Sequence, residues 1–116
     1  MYRRPTVRLP NPDKAMVPQA KIEAYLLSPA HLVGRHKQVF FKSLGYAQSE
    51  SRFLERDIRA FASRDARATR RTKYGQKYEV RGAITGPNDH TARIVTAWIV
   101  RGGEDFPRFL TAYPED

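Results

Sequence analysis

The chain has 116 residues, the length of one domain, and can bury a single hydrophobic core without disulfide staples. It contains no cysteine, so disulfides, thiolate metal sites and a catalytic cysteine are excluded. No apolar run approaches the roughly 20 residues of a membrane-spanning helix, and the basic N-terminus lacks the apolar segment of a signal peptide. We expect a cytoplasmic protein with no membrane association, although a lack of cysteine also suits many exported bacterial proteins.

Positive charge dominates the composition, with 21 Lys and Arg against 12 Asp and Glu and a formal net charge of +9. Seven basic and two acidic residues lie between Arg64 and Arg81, whereas three basic and five acidic residues follow from Gly82 onward. Clustered positive charge attracts polyanions. The alternatives are an acidic protein that masks the patch and a surface that serves only solubility. The candidate RNA-binding residues are Arg64, Arg67, Arg70, Arg71, Lys73, Lys77 and Arg81.

The first half of the chain predicts an extended arm and then helices. Four prolines within residues 1–18 prevent a helix there, so we expect an extended arm followed by a single domain over residues 19–116. Apolar spacing predicts a helix from Gln19 that closes at Ser28-Pro29. A second helix is predicted from Val33 to Leu44, with Gly45 as its left-handed stop. The residues that we expect on its inner stripe are Val39, Phe40, Ser43 and Leu44.

A third helix is predicted to start at Ser49 or Ser51, either of which can cap it, and to end in the arginine-rich stretch after Ala62. Its expected inward residues are Phe53, Leu54, Ile58 and Phe61.

The second half of the chain predicts strands. In YEVRGAI, apolar residues alternate with charged ones, which is the period of a half-buried strand. One face is expected to carry Tyr78, Val80 and Ile84, and the other Lys77, Glu79 and Arg81. GPND at 86–89 predicts a turn, TARIVTAWIV a long central strand, RGGED at 101–105 another turn, and PRFLTAYP a last strand closed by Pro114. The order predicts an α+β fold in which N-terminal helices pack on a C-terminal antiparallel β-sheet.

Few residues could carry chemistry. The chain has no P-loop, no GxGxxG and no GxSxG, and its three histidines lack metal-ligand spacing, so we expect neither a metal nor a cofactor. His31 and Lys37 fall near the predicted start of the second helix. An imidazole exchanges protons near neutral pH, and a lysine stabilises a phosphate. The candidate strand residues, which offer a cation and hydroxyls, are Arg93, Thr96, Thr111 and Tyr113.

Each of these candidates also has an ordinary structural interpretation. Threonine and tyrosine are favoured in strands for packing alone, and a histidine near a helix start is often only a surface residue. Thr111 and Tyr113 are expected to share one face of the last strand, and Thr96 and Trp98 one face of the central strand, because each pair is two residues apart.

Three stretches carry a resemblance to a known family: KIEAYLLSPAHLVGRHKQVFFKSLGY, YGQKYEVRGAITGPN and VTAWIVRGGEDFPRFLTAYP. They resemble, over residues 21–114, small bacterial proteins known mainly as a domain of unknown function. That family in turn resembles ribonuclease toxins of the barnase–EndoU–colicin–RelE type, whose plan is N-terminal helices and a four-stranded antiparallel sheet. The chain departs from the family pattern at Leu32, where proline is common, and at Asp89, where glycine is usual. The motif positions fall on His31, Gly34, Lys37, Thr96, Trp98, Thr111 and Tyr113, with Arg93 as a weaker match.

The resemblance implies a metal-independent endoribonuclease toxin, paired with an acidic antitoxin or immunity protein and acting on an RNA such as tRNA or mRNA. A base would deprotonate a ribose 2′-OH, which attacks the adjacent phosphate, and the 5′-oxygen would leave with a proton from an acid to give a 2′,3′-cyclic phosphate. His31 is the candidate acid or base, Lys37 and Arg93 would hold the phosphate, and the three strand hydroxyls would position it. The alternative is a non-catalytic module that binds nucleic acid or an acidic protein. A structural or phage-related protein, whose charge is incidental, is a third hypothesis.

Overall fold

The computed structural model describes residues 5–23 and 35–115, and it contains a five-stranded antiparallel sheet in the order β1-β2-β3-β4-β5. The strands are β1 Val7–Arg8, β2 Asp65–Thr72, β3 Gly75–Thr85, β4 Thr91–Arg101 and β5 Arg108–Pro114. β3 and β4 pair in register along their whole length. The apolar β4 is flanked by β3 and β5, as its composition predicts. The chain therefore has the α+β fold expected from the order of its elements.

One face of the sheet, called here the helix face, packs into the core. The predicted alternation in β3 is confirmed, because Val80 and Ile84 are buried and Tyr78 packs partly buried against the core. Strand pairing aligns these residues with the fully buried members of β4 and β5. The members on the helix face are Ile94, Thr96, Trp98, Phe109 and Ala112, whereas Val95 and Ile99 of β4 are buried on the opposite face. The second face is defined by Lys77, Glu79 and Arg81 on β3.

Three α-helices occur in the described part: α1 Gln19–Lys21, α2 Arg35–Ser43 and α3 Ser51–Phe61. Short 3₁₀ helices span Pro12–Lys14 and Gln48–Glu50. α3 buries Leu54, Ile58 and Phe61 as predicted, whereas Phe53 is only partly buried. No helix in residues 5–23 or 35–115 is long and apolar enough to cross a membrane.

The predicted cap of α3 is wrong. The residue at the N-cap position is Glu50, and it makes no side-chain capping hydrogen bond. The Ser51 hydroxyl is buried and instead donates to Glu23 Oε1 at 2.9 Å. The serine therefore ties α3 to the segment that follows α1, which a local capping rule does not consider.

The inner stripe predicted for α2 is also partly wrong. Phe41 is fully buried and Leu44 is buried, whereas Val39 is 61% exposed and Ser43 faces solvent. Because Phe40 and Phe41 are adjacent, the helix could turn either ring toward the core. Phe41 is the one that contacts the Tyr46 ring, at 6.3 Å between ring centroids. Gly45 does end the helix in the left-handed conformation, with a φ of 95°.

The arginine-rich stretch after Ala62, where the sequence predicts only the end of the third helix, forms β2. Among its eight residues only Ala66 is buried, so the alternation that signals a half-buried strand is missing. An irregularity between Ala68 and Arg71 further disrupts the period of two. Pairing with β3 is what forms this strand.

The described part of the proline-rich arm, residues 5–18, packs against the body of the domain. β1 pairs with β2 at one edge of the sheet, and Met16 bridges Arg108 at the other. Leu9, Ala15 and Val17 belong to the core cluster. The arm therefore contributes to the same core as the sheet. The arm adds β1 as an edge strand of the five-stranded sheet.

Candidate functional site

Two of the candidate catalytic side chains are in contact. Lys37 Nζ on α2 donates a hydrogen bond of 2.7 Å to Thr111 Oγ1 on β5. The register pairs Thr111 with Ala97 and Tyr113 with Val95, which places both on one face of β5 as predicted. His31, the candidate acid or base, lies outside the described residues. The structure thus brings together one ammonium and one hydroxyl of the expected set.

Thr96 occupies the core and faces no cleft. It is fully buried, its hydroxyl donates to the Val80 carbonyl at 3.0 Å, and it accepts the Trp98 indole N–H at 2.8 Å. Thr96 and Trp98 do share a face of β4, but it is the helix face. Because this hydroxyl is surrounded by protein and already hydrogen-bonded, it cannot position a substrate phosphate in this structure.

Arg93 and Tyr113 belong to a network of charged residues on the second face. Glu115 accepts from Arg93 Nε at 2.7 Å and from Arg81 Nη1 at 3.0 Å, and Arg81 Nη2 donates to Glu79 at 2.9 Å. The hydrogen bonds from Arg93 and then Arg81 lower the pKa of the Glu115 carboxyl. Burial, followed by the charge of Glu79, raises the pKa of the Tyr113 phenol. Glu115 thus neutralises the cation that was expected to hold a phosphate.

The seven candidate RNA-binding cations do not form one surface. Arg64 stacks on the Phe61 ring at 4.0 Å and donates to the Ala83 carbonyl, and Arg81 is held by two carboxylates. The other five carry their charge on β2, β3 and the turn between them. We call them the basic hairpin, and they are Arg67, Arg70, Arg71, Lys73 and Lys77.

None of the five basic-hairpin cations lies within 4.0 Å of a carboxylate oxygen in residues 5–23 and 35–115. The two acidic residues on these strands are engaged elsewhere, since Asp65 pairs with Arg8 at 3.2 Å and Glu79 pairs with Arg81 at 2.9 Å. Unneutralised cations repel one another, so the hairpin concentrates positive potential that an external anion would relieve.

The cations of the basic hairpin project from both faces of the sheet. The register pairs Arg67 with Glu79 and Arg71 with Gln76, and residues 79 and 76 lie on opposite faces of β3. The irregularity between Ala68 and Arg71 causes this change of face. Within residues 5–23 and 35–115, β1 pairs with residues 65 and 66 alone, so in this described part the positive charge lies along a strand edge that a flexible polyanion can approach from either side.

The aromatic residue at the tip of the hairpin is not among the site residues predicted from the sequence. Tyr74, in the turn, is 65% exposed, and Lys73 Nζ lies 5.2 Å from its ring centroid. Tyr74 also lines a groove together with Lys77, Ile99, Arg101 and Leu110. The sequence does contain a signal for an exposed ring at a turn. Tyr74 stands between Lys73 and Gly75, just before a strand with alternating apolar residues. Glu115 was missed because its partners are 22 and 34 residues away.

The fold and the site together describe an α+β domain with a five-stranded antiparallel sheet and a basic hairpin at one side. The chain belongs to the family described as Domain of unknown function (DUF6883), whose model matches residues 8–116. No curated protein and no solved structure matches the chain. The first part of the resemblance noted in the sequence, to a domain family of unknown function, is therefore confirmed, while the comparisons give no support for a kinship with ribonuclease toxins.

Proposed function

We propose that the protein binds RNA through the basic hairpin. The observation that carries this proposal is the set of five cations without a carboxylate within 4.0 Å in the described part of the chain. Elsewhere the surface cations Arg8, Arg93 and Arg108 pair with acidic groups. Polyphosphate backbones supply regularly spaced negative charges, and their binding releases condensed counterions.

The extended shape of the hairpin favours a flexible strand over a rigid duplex. Charges on both faces of an edge can be contacted by single-stranded segments whose backbone bends around the edge. A stiff helix offers its phosphates to one surface at a time. RNA presents such segments in loops and at ends, where proteins most often recognise it.

The test is the salt dependence of RNA affinity. Five phosphate contacts to a single strand predict a slope of log Kobs against log salt of roughly −3.5, at about −0.7 per contact. The double variant Arg70→Gln/Arg71→Gln should weaken binding and reduce the slope by roughly 1.4. Arg52→Gln/Arg56→Gln, on α3, is the control with the same net charge. Equal losses in the two variants would mean that net charge, and not the hairpin, sets the affinity.

RNA cleavage is a second candidate function, favoured by the hydrogen bond between Lys37 and Thr111. An ammonium held against a hydroxyl could bind a phosphate as the 2′-OH attacks it, with His31 as the acid or base and a 2′,3′-cyclic phosphate as the product. In this hypothesis the protein is a toxin that an acidic antitoxin or immunity protein restrains by covering the basic hairpin.

Cleavage is tested by incubating the protein with total RNA in EDTA. His31→Ala should abolish cleavage and leave RNA affinity largely unchanged. His90→Ala is the matched control, because His90 sits in the exposed turn between β3 and β4 with its ring nitrogen 3.4 Å from the Ser43 carbonyl. Intact RNA with the unaltered protein would remove the catalytic candidate and leave the binding proposal standing.

A further inference from the structure

The tip of the basic hairpin is held in place although its side chains are exposed. The Tyr74 N–H donates to the Thr72 hydroxyl at 3.1 Å, and the Tyr74 carbonyl accepts from the Gly102 N–H at 3.3 Å. Gly75, with a φ of 146°, lets the hairpin approach β4 closely, because a Cβ there would lie 2.2 Å from the Val100 carbonyl oxygen. The backbone under the exposed tyrosine ring is thus fixed before any ligand arrives.

The groove beside this ring has a volume of 530 Å³, within the range of roughly 300–1,000 Å³ in which proteins enclose small organic ligands. Its lining consists of the tyrosine, two cations and two aliphatic side chains, and it includes no carboxylate. Lys77 pairs with Ile99 and Gly75 with Arg101, so Lys77 and Arg101 are diagonal neighbours across β3 and β4. Two cations therefore border one apolar floor.

The combination of groups distinguishes between classes of polyanion. An acidic peptide would use the two cations but would have no need of an exposed aromatic ring. A nucleotide supplies a phosphate for the cations and a flat base for the ring, and base–aromatic stacking is largely independent of sequence. By contrast, another cleft on the second face, lined by Arg67, Arg81 and Arg93, also contains Asp65 and Glu79, which compete with an external anion.

We propose that this groove is a nucleotide subsite for single-stranded RNA, in which one base stacks on Tyr74 while the adjoining phosphates contact Lys77 and Arg101. This inference rests on the proposed function and adds to it a side chain, Tyr74, that contacts the bases rather than the phosphates. The remaining cations of the basic hairpin then guide the backbone along β2 toward the groove.

The experiment compares two fluorescein-labelled oligonucleotides of equal length by anisotropy, one with bases and one abasic, so that the number of phosphates is the same. Tyr74→Ala should weaken binding of the base-containing strand by roughly 5- to 150-fold, the range that stacking on one aromatic ring supplies. It should leave the abasic strand unchanged. Tyr74→Phe, which retains the ring, should bind both strands like the unaltered protein.

Two further variants complete the design. Lys77→Gln should weaken both strands, because it removes a phosphate contact. Met16→Ala, which truncates another exposed apolar side chain at the opposite edge of the sheet, should change neither affinity. Poly-glutamate serves as a competitor of matched charge and should displace the base-containing strand less effectively than unlabelled RNA.

The outcomes separate this inference from the function on which it rests. If the unaltered protein binds neither strand, both proposals fail. If it binds both strands and loses affinity in Arg70→Gln/Arg71→Gln, but Tyr74→Ala changes nothing or weakens both strands equally, only the nucleotide subsite is refuted. Displacement by poly-glutamate as effective as that by RNA, and insensitive to Tyr74→Ala, would refute the nucleotide subsite and favour an acidic protein as the partner of the basic hairpin.

Discussion

Replacing Thr96 with valine tests whether this residue stabilises the core or belongs to a reactive site. Valine preserves the shape of threonine but removes the hydroxyl that accepts the Trp98 indole N–H at 2.8 Å and donates to the Val80 carbonyl at 3.0 Å. Both side chains are fully buried, so water cannot replace the missing acceptor. An unsatisfied buried donor costs about 1–3 kcal/mol, and the second lost hydrogen bond adds about 1 kcal/mol. We therefore expect Thr96→Val to lower the free energy of unfolding by about 2–4 kcal/mol.

Thr96→Ser provides the matched control because it keeps the hydroxyl and removes one methyl group, at a cost of about 1 kcal/mol. Urea unfolding followed by far-UV circular dichroism measures both variants without relying on the fluorescence of Trp98, whose surroundings change. The reasoning fails if Thr96→Val is as stable as the unaltered protein or no less stable than Thr96→Ser. If Thr96→Val lost an RNA-cleaving activity while its stability was unchanged, Thr96 would again be a candidate catalytic residue.

Two further predictions concern the second face and the turn between β3 and β4. Glu115 contributes stability that is present above its ordinary pKa of 4.5 and lost as the pH falls through the value lowered by Arg93. Glu115→Gln should therefore flatten the acid side of a stability–pH curve, and identical curves would contradict this. The same variant frees the Arg93 guanidinium and leaves Arg81 with Glu79 as its carboxylate partner, so it should steepen the salt dependence of RNA binding, as measured by anisotropy. Gly86→Ala should destabilise the fold by about 1–3 kcal/mol, because its Cβ would lie 1.8 Å from the Leu44 carbonyl oxygen. Gly102→Ala, whose Cβ would have no atom within 4 Å, should lower the free energy of unfolding much less in the same urea unfolding assay.

The basic segment shows how a contiguous charge run separates once the chain folds. Arg64, first in the run, stacks on Phe61, and Arg81, last in the run, bridges Glu79 and Glu115. The central cations of the run have no carboxylate within 4.0 Å in residues 5–23 and 35–115, so their charge is available for a partner. A count of basic residues along the chain therefore overestimates the number of cations that are available for a partner. Such a count cannot include carboxylates that lie close in space but far away in the sequence.

The candidate reactive set divides in a similar way. Lys37 and Thr111 are 74 residues apart in the chain, yet they meet through a hydrogen bond. Family motif positions and residue chemistry were sufficient to nominate both. Thr96 was nominated on the same grounds, but strand pairing directs its side chain into the core. Whether the hydroxyl of a candidate residue is accessible depends on whether its side chain lies on the face of the sheet that packs into the core.

The sequence by itself determined that helices α2 and α3 precede strands β3, β4 and β5, the alternation in β3 and the apolar character of β4, because these follow from local periodicity. The strand formed by Asp65–Thr72 and the burial of the proline-rich arm could not be predicted, since both depend on pairing with segments distant in the chain. Tertiary structure alone decided which cations are neutralised and that the Tyr74 ring stands exposed beside Lys77 and Arg101. The physical reason is that Coulomb interactions and burial act through space, whereas periodicity acts along the chain.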